Sequence, residues 1–458
     1  MDKELDKTIW RPITGPLRER ALQVLLEIAE RYKEPEKVRA LMQQVPAEEL
    51  DGISYERWRD LSLASGFPGI CLLMGQLDQL YPDGGWDLVG HQYLGLVRQT
   101  IEAEGVYNLS LFNGLAGVLL AVQALSRGRT RYSGMINNLA DLFEERIPYV
   151  LSEIRVHWKA GVVRMGDYDV IQGLSGIGRV ALLFSERPLM RSALESIVEL
   201  FHLYCGEKHI NGYTVPAWHV SSENQFLAEE SSRYPNGNFN LGLSHGVSGP
   251  LAFLSISYSK GIMNDAVTAD IYKLAEFLCK CAIQDENGIV FPGRVSFEEW
   301  VKEDLPSVGI DNRDSWCYGA PGIARSLWLA GKALNNDKWL ETGKRAYSTI
   351  ANREPVSVKS NLGILCHGSS GLIHLLQRMY SETGDNSLLT LRDKHLEELL
   401  YLYEPESLFG YYDDSLREGT LTRVDEAGFL TGASGVALVL ASLLGEQNPE
   451  WDLALMLQ

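Results

Sequence analysis

The chain has 458 residues, with 60 acidic against 42 basic side chains, a net charge of −18, 43 glycines and six cysteines. This acidic balance excludes a general nucleic-acid binder, which carries a basic face, and argues against docking on anionic lipid by charge alone. Six cysteines with no Cys-x-x-Cys pair are too sparse for a disulfide framework and point to a reducing cytoplasm.

The opening residues, MDKELDKTIWRPITG, lack the apolar core of a signal peptide, and no run of about 18 apolar residues follows. Residues 16–32 (PLRERALQVLLEIAERY) alternate apolar and polar at helical spacing and predict an amphipathic helix. The motif GFPG then begins at Gly66. Six relatives of it follow: GLAG at Gly114, GLSG at Gly173, GVSG at Gly246, GAPG at Gly319, GSSG at Gly368 and GASG at Gly432. Each leads into an apolar stretch, such as VLLAVQAL after Gly117, IGRVALLF after Gly176 and VALVLASLL after Gly435. These read as buried helices. Amphipathic stretches at 188–204, 268–283 and 386–402 read as outer helices between them. One Gly-x-x-Gly is weak evidence, but seven with a shared continuation mark an internal repeat.

A length prior of about 150 residues per domain suggests roughly three domains. The repeat replaces that expectation with one domain over 1–458. Stacked repeats must cap their ends or close on themselves, and no polar capping repeat is visible. With the helix at 16–32 closing the circle, seven inner and seven outer helices result. The expected fold is therefore all-α, an α/α toroid; an open α-solenoid is the competing reading. The two longest spacings leave room for excursions at 206–241 and 285–313, where NGYTVPAW and NGIVFPGRVSF read as short strands or hairpins.

Aligning the seven motifs gives two informative columns. Just before the first glycine stand Ser65, Asn113, Gln172, His245, Tyr318, His367 and Thr431, all polar. Such side chains are expected to face a shared cavity where the inner helices begin. One position earlier, adjacent repeats carry Cys317 and Cys366. Equivalent positions in adjacent repeats are neighbours in space, so Cys317, Cys366 and His367 are candidate ligands of one zinc ion, with a fourth position open. Cys71, Cys205, Cys279 and Cys281 fall outside the columns and read as core residues. His245 is a candidate proton carrier at neutral pH. Asp169, four residues before Gly173, either orients His245 or caps a helix. Arg313, four residues before Cys317, either holds an anion or makes a surface ion pair. His374, inside an apolar stretch, reads as a core histidine.

YDVIQGLSG at 168–176, LGLSHGVSG at 241–249, RDSWCYGAPG at 313–322 and LCHGSSG at 365–371, with the seven repeats, resemble the lanthionine synthetase C family. These are the cyclases of lanthipeptide biosynthesis. The resemblance spans nearly the whole chain; the portion 1–60 is less diagnostic. It implies an α/α toroid with one zinc held by Cys317, Cys366 and His367. It also implies active-site roles for His245, Asp169, Arg313 and Tyr318. The reaction implied is addition of a peptide cysteine thiol to a dehydroalanine or dehydrobutyrine, which forms a lanthionine or methyllanthionine thioether. The substrate would be a dehydrated precursor peptide, and the partners a separate dehydratase and an exporter at the membrane. Two other readings stay open: addition of glutathione to dehydrated residues, and a non-catalytic zinc-containing scaffold that binds peptides.

Overall fold

The computed structural model describes residues 10–262, 265–285, 288–304, 314–352, 362–417 and 420–458. Among them, seven inner helices follow the seven motifs: Phe67–Leu80, Leu115–Ala124, Leu174–Ala181, Ser248–Ser259, Ala320–Leu334, Ser369–Thr383 and Ala433–Leu444. Each inner helix packs on the next, and the last packs on the first. Outer helices Trp86–Glu104, Ser133–Lys159, Pro188–Tyr204, Asp265–Lys280, Asp337–Ser348 and Asn386–Tyr401 each back the inner helix before them. The seventh outer helix is Gly15–Arg31, which packs on Ala433–Leu444 and closes the circle. The fold is the expected α/α toroid, and closure excludes the open solenoid.

The motif has a local physical cause. A Cβ placed on the second glycine of each motif would lie 2.0–3.0 Å from the carbonyl oxygen six residues earlier, from Gly69 against Leu63 to Gly435 against Phe429. Any side chain there would push the inner helix off the loop that precedes it. That close approach lets the loops bond to one another directly. Leu63 N–H donates to the Phe112 carbonyl (2.8 Å), Phe112 N–H to Ile171 (3.2 Å) and Val170 N–H to Ser244 (3.0 Å). Leu243 N–H donates to Cys317 (3.0 Å), Cys317 N–H to Cys366 (3.3 Å), Cys366 N–H to Leu430 (2.9 Å) and Phe429 N–H to Ala64 (2.7 Å). The result is a closed circuit of backbone hydrogen bonds at one rim. Each of the seven residues of the polar column directly follows a residue of this circuit, and all seven are at least partly exposed.

The excursions carry the expected strands, with one difference. Glu207–Ile210 and Tyr213–Pro216 form a hairpin. The two strands of NGIVFPGRVSF do not pair with each other. Gly288–Val290 pairs back with Ile283–Asp285, which ends the preceding outer helix earlier than the sequence pattern suggested. Arg294–Ser296 pairs with Asn238–Asn240 of the other excursion. The Gly293 carbonyl accepts from Leu241 N–H at 3.0 Å and draws the strand across. The two excursions are thus joined beside the rim. Among the described residues, no helix is long and apolar enough to cross a membrane.

Residues 451–458 close the inside of the ring. The inner helices carry four buried basic side chains, Arg179, Arg325, His374 and Arg378. Each finds a partner in this segment, and Arg325 also pairs with Glu382. Arg179 Nε donates to the Gln458 carbonyl and Arg325 Nε to the Leu457 carbonyl, each at 3.0 Å. Asp452, fully buried, takes Arg378 Nε at 2.9 Å and His374 Nε2 at 2.8 Å. His374 is therefore the core histidine expected of it, bonded through Nε2, while its Nδ1 is buried without a partner.

These buried groups set an acid limit. Burial, with Lys208 nearby, pulls His219 down to about 4. Burial also pulls His374 down. Both take up protons more readily in the unfolded chain, so stability falls as pH drops below about 6.5. Burial alone would raise the carboxyls of Asp452 and Glu382, but Arg378 and Arg325 outweigh it and hold both at about 2. Their contribution is present above the ordinary carboxylate range and is lost between about pH 4 and 2. A melting temperature followed from pH 8 to 2 should be flat to about 6.5, decline to 4, then fall steeply. His219→Gln should make the first decline shallower.

Candidate metal and thiol site

Two groups of side chains meet on the hydrogen-bonded rim. The first is Cys317, Cys366 and His367, whose donor atoms all lie within 4.8 Å of one another. Cys317 and Cys366 are brought together because the loops that carry them are consecutive in the circuit, through Cys317 N–H and the Cys366 carbonyl. Cys317 also has Ser315 Oγ 3.8 Å from its sulfur. Hydrogen bonding with Cys366, then with His367, holds the Cys317 thiol well below the ordinary thiol range although burial opposes it. The other cysteines go the opposite way. Burial raises Cys71, Cys205 and Cys281, and pushes Cys279 up to about 11. The division of the six cysteines into two at the site and four elsewhere follows the columns.

Donors around a tetrahedral ion at 2.0–2.3 Å stand about 3.5 Å apart. Two sulfurs and an imidazole within the observed span fit a soft or borderline divalent metal, and three donors leave one position for a further ligand.

The second group is His245 with Asp169. His245 Nδ1 and Asp169 Oδ2 are 2.6 Å apart. The other carboxylate oxygen, Oδ1, accepts from Gln172 N–H at 2.7 Å and Gly173 N–H at 2.8 Å. Of the two readings of Asp169, the orienting one matches the structure: it holds His245, while its other oxygen fixes the turn before Leu174–Ala181, whose N-cap is Gly173 with no side-chain cap bond. A carboxylate at Nδ1 places the imidazole hydrogen there and leaves Nε2 as the available proton acceptor. The His245 side chain is 26 % exposed whereas Asp169 is fully buried. The two groups are connected through the rim, because Leu243 and Ser244 N–H both donate to the Cys317 carbonyl, at 3.0 and 3.3 Å.

Tyr318 follows Cys317 on the same loop. Burial pushes its phenol up to about 12, so it is neutral at pH 7. Its ring lies against Gly242, where a Cβ would come within 2.6 Å of Tyr318 Cε1 and 2.8 Å of the Cys317 carbonyl. Glycine in LGLSHG is thus required by the tyrosine. Arg313 lies outside the described residues.

Three residues escaped the sequence reading. Asn240 Nδ2 donates to Tyr318 Oη at 2.9 Å. The Arg294 guanidinium stands over the Tyr318 ring, 5.2 Å from its centre, and pairs with Glu230. Phe226 packs edge-on to His245, with ring centres 4.9 Å apart. All come from the two excursions or the loop after them, where no repeat column exists to align them.

Comparison with known proteins places the fold and the family. The chain is 28 % identical over 402 residues to the nisin biosynthesis protein NisC of Lactococcus lactis subsp. lactis, covering 87 % of this chain and 89 % of that protein. A solved nisin cyclase shares the fold with a TM-score of 0.75 at 23 % identity, over 97 % of this chain and 98 % of the other. The model of the lanthionine synthetase C-like proteins matches residues 57–456. A match over that span, on a ring whose rim carries the cysteine–histidine cluster, means that the chain belongs to the lanthionine synthetase C-like family.

Proposed function

We propose that this chain is a zinc-dependent lanthipeptide cyclase. It would join cysteine thiols of a dehydrated precursor peptide to dehydroalanine or dehydrobutyrine in the same peptide. The observation that carries the reading is the convergence of Cys317, Cys366 and His367 within 4.8 Å on the rim that also holds the His245–Asp169 pair. Cys317, Cys366 and His367 would hold the zinc ion. When bound, it would keep a substrate sulfur as an electron-rich thiolate at neutral pH.

The chain's own residues account for the protons. Formation of the thioether makes one S–C bond and one C–H bond and breaks the π bond of the dehydro residue; nothing leaves. His245 Nε2 takes the thiol proton and returns it to the α-carbon. Asp169 holds the ring in the tautomer this requires and stabilises the imidazolium between the two transfers. Between them the adjacent carbonyl oxygen carries enolate charge, which Arg313 is assigned to stabilise. We assign the chain 1–458 to this task as one unit, working in the cytoplasm beside a dehydratase and an exporter.

Zinc-loaded protein should consume free thiols of a dehydrated precursor peptide without changing the peptide's mass. Thiol loss without mass change supports cyclisation. Addition of a glutathione mass in the presence of glutathione would show intermolecular addition instead. No thiol loss with either would overturn the enzymatic reading.

A further inference from the structure

We propose that Asn240 and Arg294 are positioning residues that make the Tyr318 hydroxyl an obligatory hydrogen-bond donor to the substrate. This rests on the cyclase reading above. Asn240 is fully buried, and its amide orientation is fixed by its surroundings. Its Oδ1 accepts from Gly242 N–H at 3.0 Å, so its Nδ2 must be the group that faces Tyr318. The guanidinium of Arg294 is the second neighbour, with Nη2 3.4 Å from Tyr318 Oη. Neither group has a lone pair to accept a phenol proton. Both can only donate to the phenol oxygen, so the O–H of Tyr318 cannot be spent on either of them and is left for another acceptor.

The acceptor that appears during the reaction is the carbonyl oxygen beside the dehydro residue, which gains negative charge when sulfur adds. A donor fixed in advance at such an oxygen stabilises the transition state more than the substrate. The guanidinium is itself held. It stacks on the tyrosine ring on one side and pairs with Glu230 on another. Glu230 lies in the short helix Ala228–Arg233, whose Ala228 N–H donates to Asp51 at 2.9 Å. The strand pairing of Asn238–Asn240 with Arg294–Ser296 delivers both positioning residues to one phenol. This gives the joined excursions a part in the chemistry.

The test uses the full zinc-loaded chain and a synthetic peptide with one cysteine and one dehydroalanine. Arg294→Met should lower kcat about tenfold and leave KM unchanged, with Arg294→Lys intermediate. Asn240→Asp should lower kcat about a hundredfold, because the added carboxylate captures the phenol proton. Tyr318→Phe should lose at least as much as Arg294→Met, and the double variant no more than Tyr318→Phe alone. Multiplying losses, a change confined to KM, or loss of bound zinc in Arg294→Met would overturn the proposal. A second readout needs no turnover. With tyrosine labelled at Cζ and the Tyr318 signal assigned from Tyr318→Phe, that signal should move in Arg294→Met and Asn240→Asp but not in the exposed Glu229→Gln control. An unmoved signal overturns the positioning role. If the wild-type chain forms no thioether, the cyclase reading falls and the labelled signal alone decides whether Asn240 and Arg294 set the phenol.

Discussion

Cys366→Ala should leave the ring folded, remove bound zinc and lower the rate of thioether formation by at least a hundredfold, about 2.7 kcal/mol of transition-state stabilisation. The fold should survive because Cys366 contributes its backbone, not its side chain, to the rim circuit: its N–H reaches Leu430 and its carbonyl accepts from Cys317. Alanine keeps both bonds. The site should not survive, because three donors within 4.8 Å become two. Cys317→Ala should behave alike. Metal analysis, thermal melting and thiol counting on one preparation separate these effects. A variant with full activity and no zinc would overturn the metal reading, and one that fails to fold would show that the cysteines are structural.

Asp452→Ala should destabilise the chain by about 3–5 kcal/mol without touching the rim. The substitution strands Arg378, 3 % exposed, and His374, fully buried, in a low-dielectric interior with their shared acceptor gone. Asp452→Asn should cost less, since it keeps an acceptor and the shape. Urea unfolding midpoints measure both. A cost below about 1 kcal/mol for the alanine variant would mean that water replaces the carboxylate and that the interior is wetter than the burial of residues 451–457 indicates.

The ring was legible in the sequence because its cause is local and recurs. The glycine that must clear a carbonyl six residues back is needed at each inner helix, so one requirement is written seven times. The cysteine–histidine cluster followed from the same alignment, since Cys317, Cys366 and His367 occupy columns of adjacent repeats. The partnership of His245 with Asp169 was only half legible, because an aspartate at a helix start explains itself as a cap, and the structure uses its two oxygens for two tasks. Asn240 and Arg294 gave no signal: their contact with Tyr318 depends on strand pairing between segments about fifty residues apart that follow no period. The filling of the ring by residues 451–458 was equally hidden. Its acceptors for Arg179 and Arg325 are backbone carbonyls, which every residue possesses.

The rim circuit joins Ala64 to Phe429 and Leu430. A ribosome makes the first of these long before the last. Until Ala433–Leu444 has emerged, the helix Phe67–Leu80 lacks one of its two inner neighbours, and Ala64 lacks the donors that its carbonyl accepts. Contacts of such long sequence separation form slowly and leave apolar surface uncovered in the interval. The nascent chain therefore spends most of its synthesis as an open arc of unmatched helices, a natural client for chaperones. A message cut short before residue 429 leaves the rim circuit unclosed at Ala64.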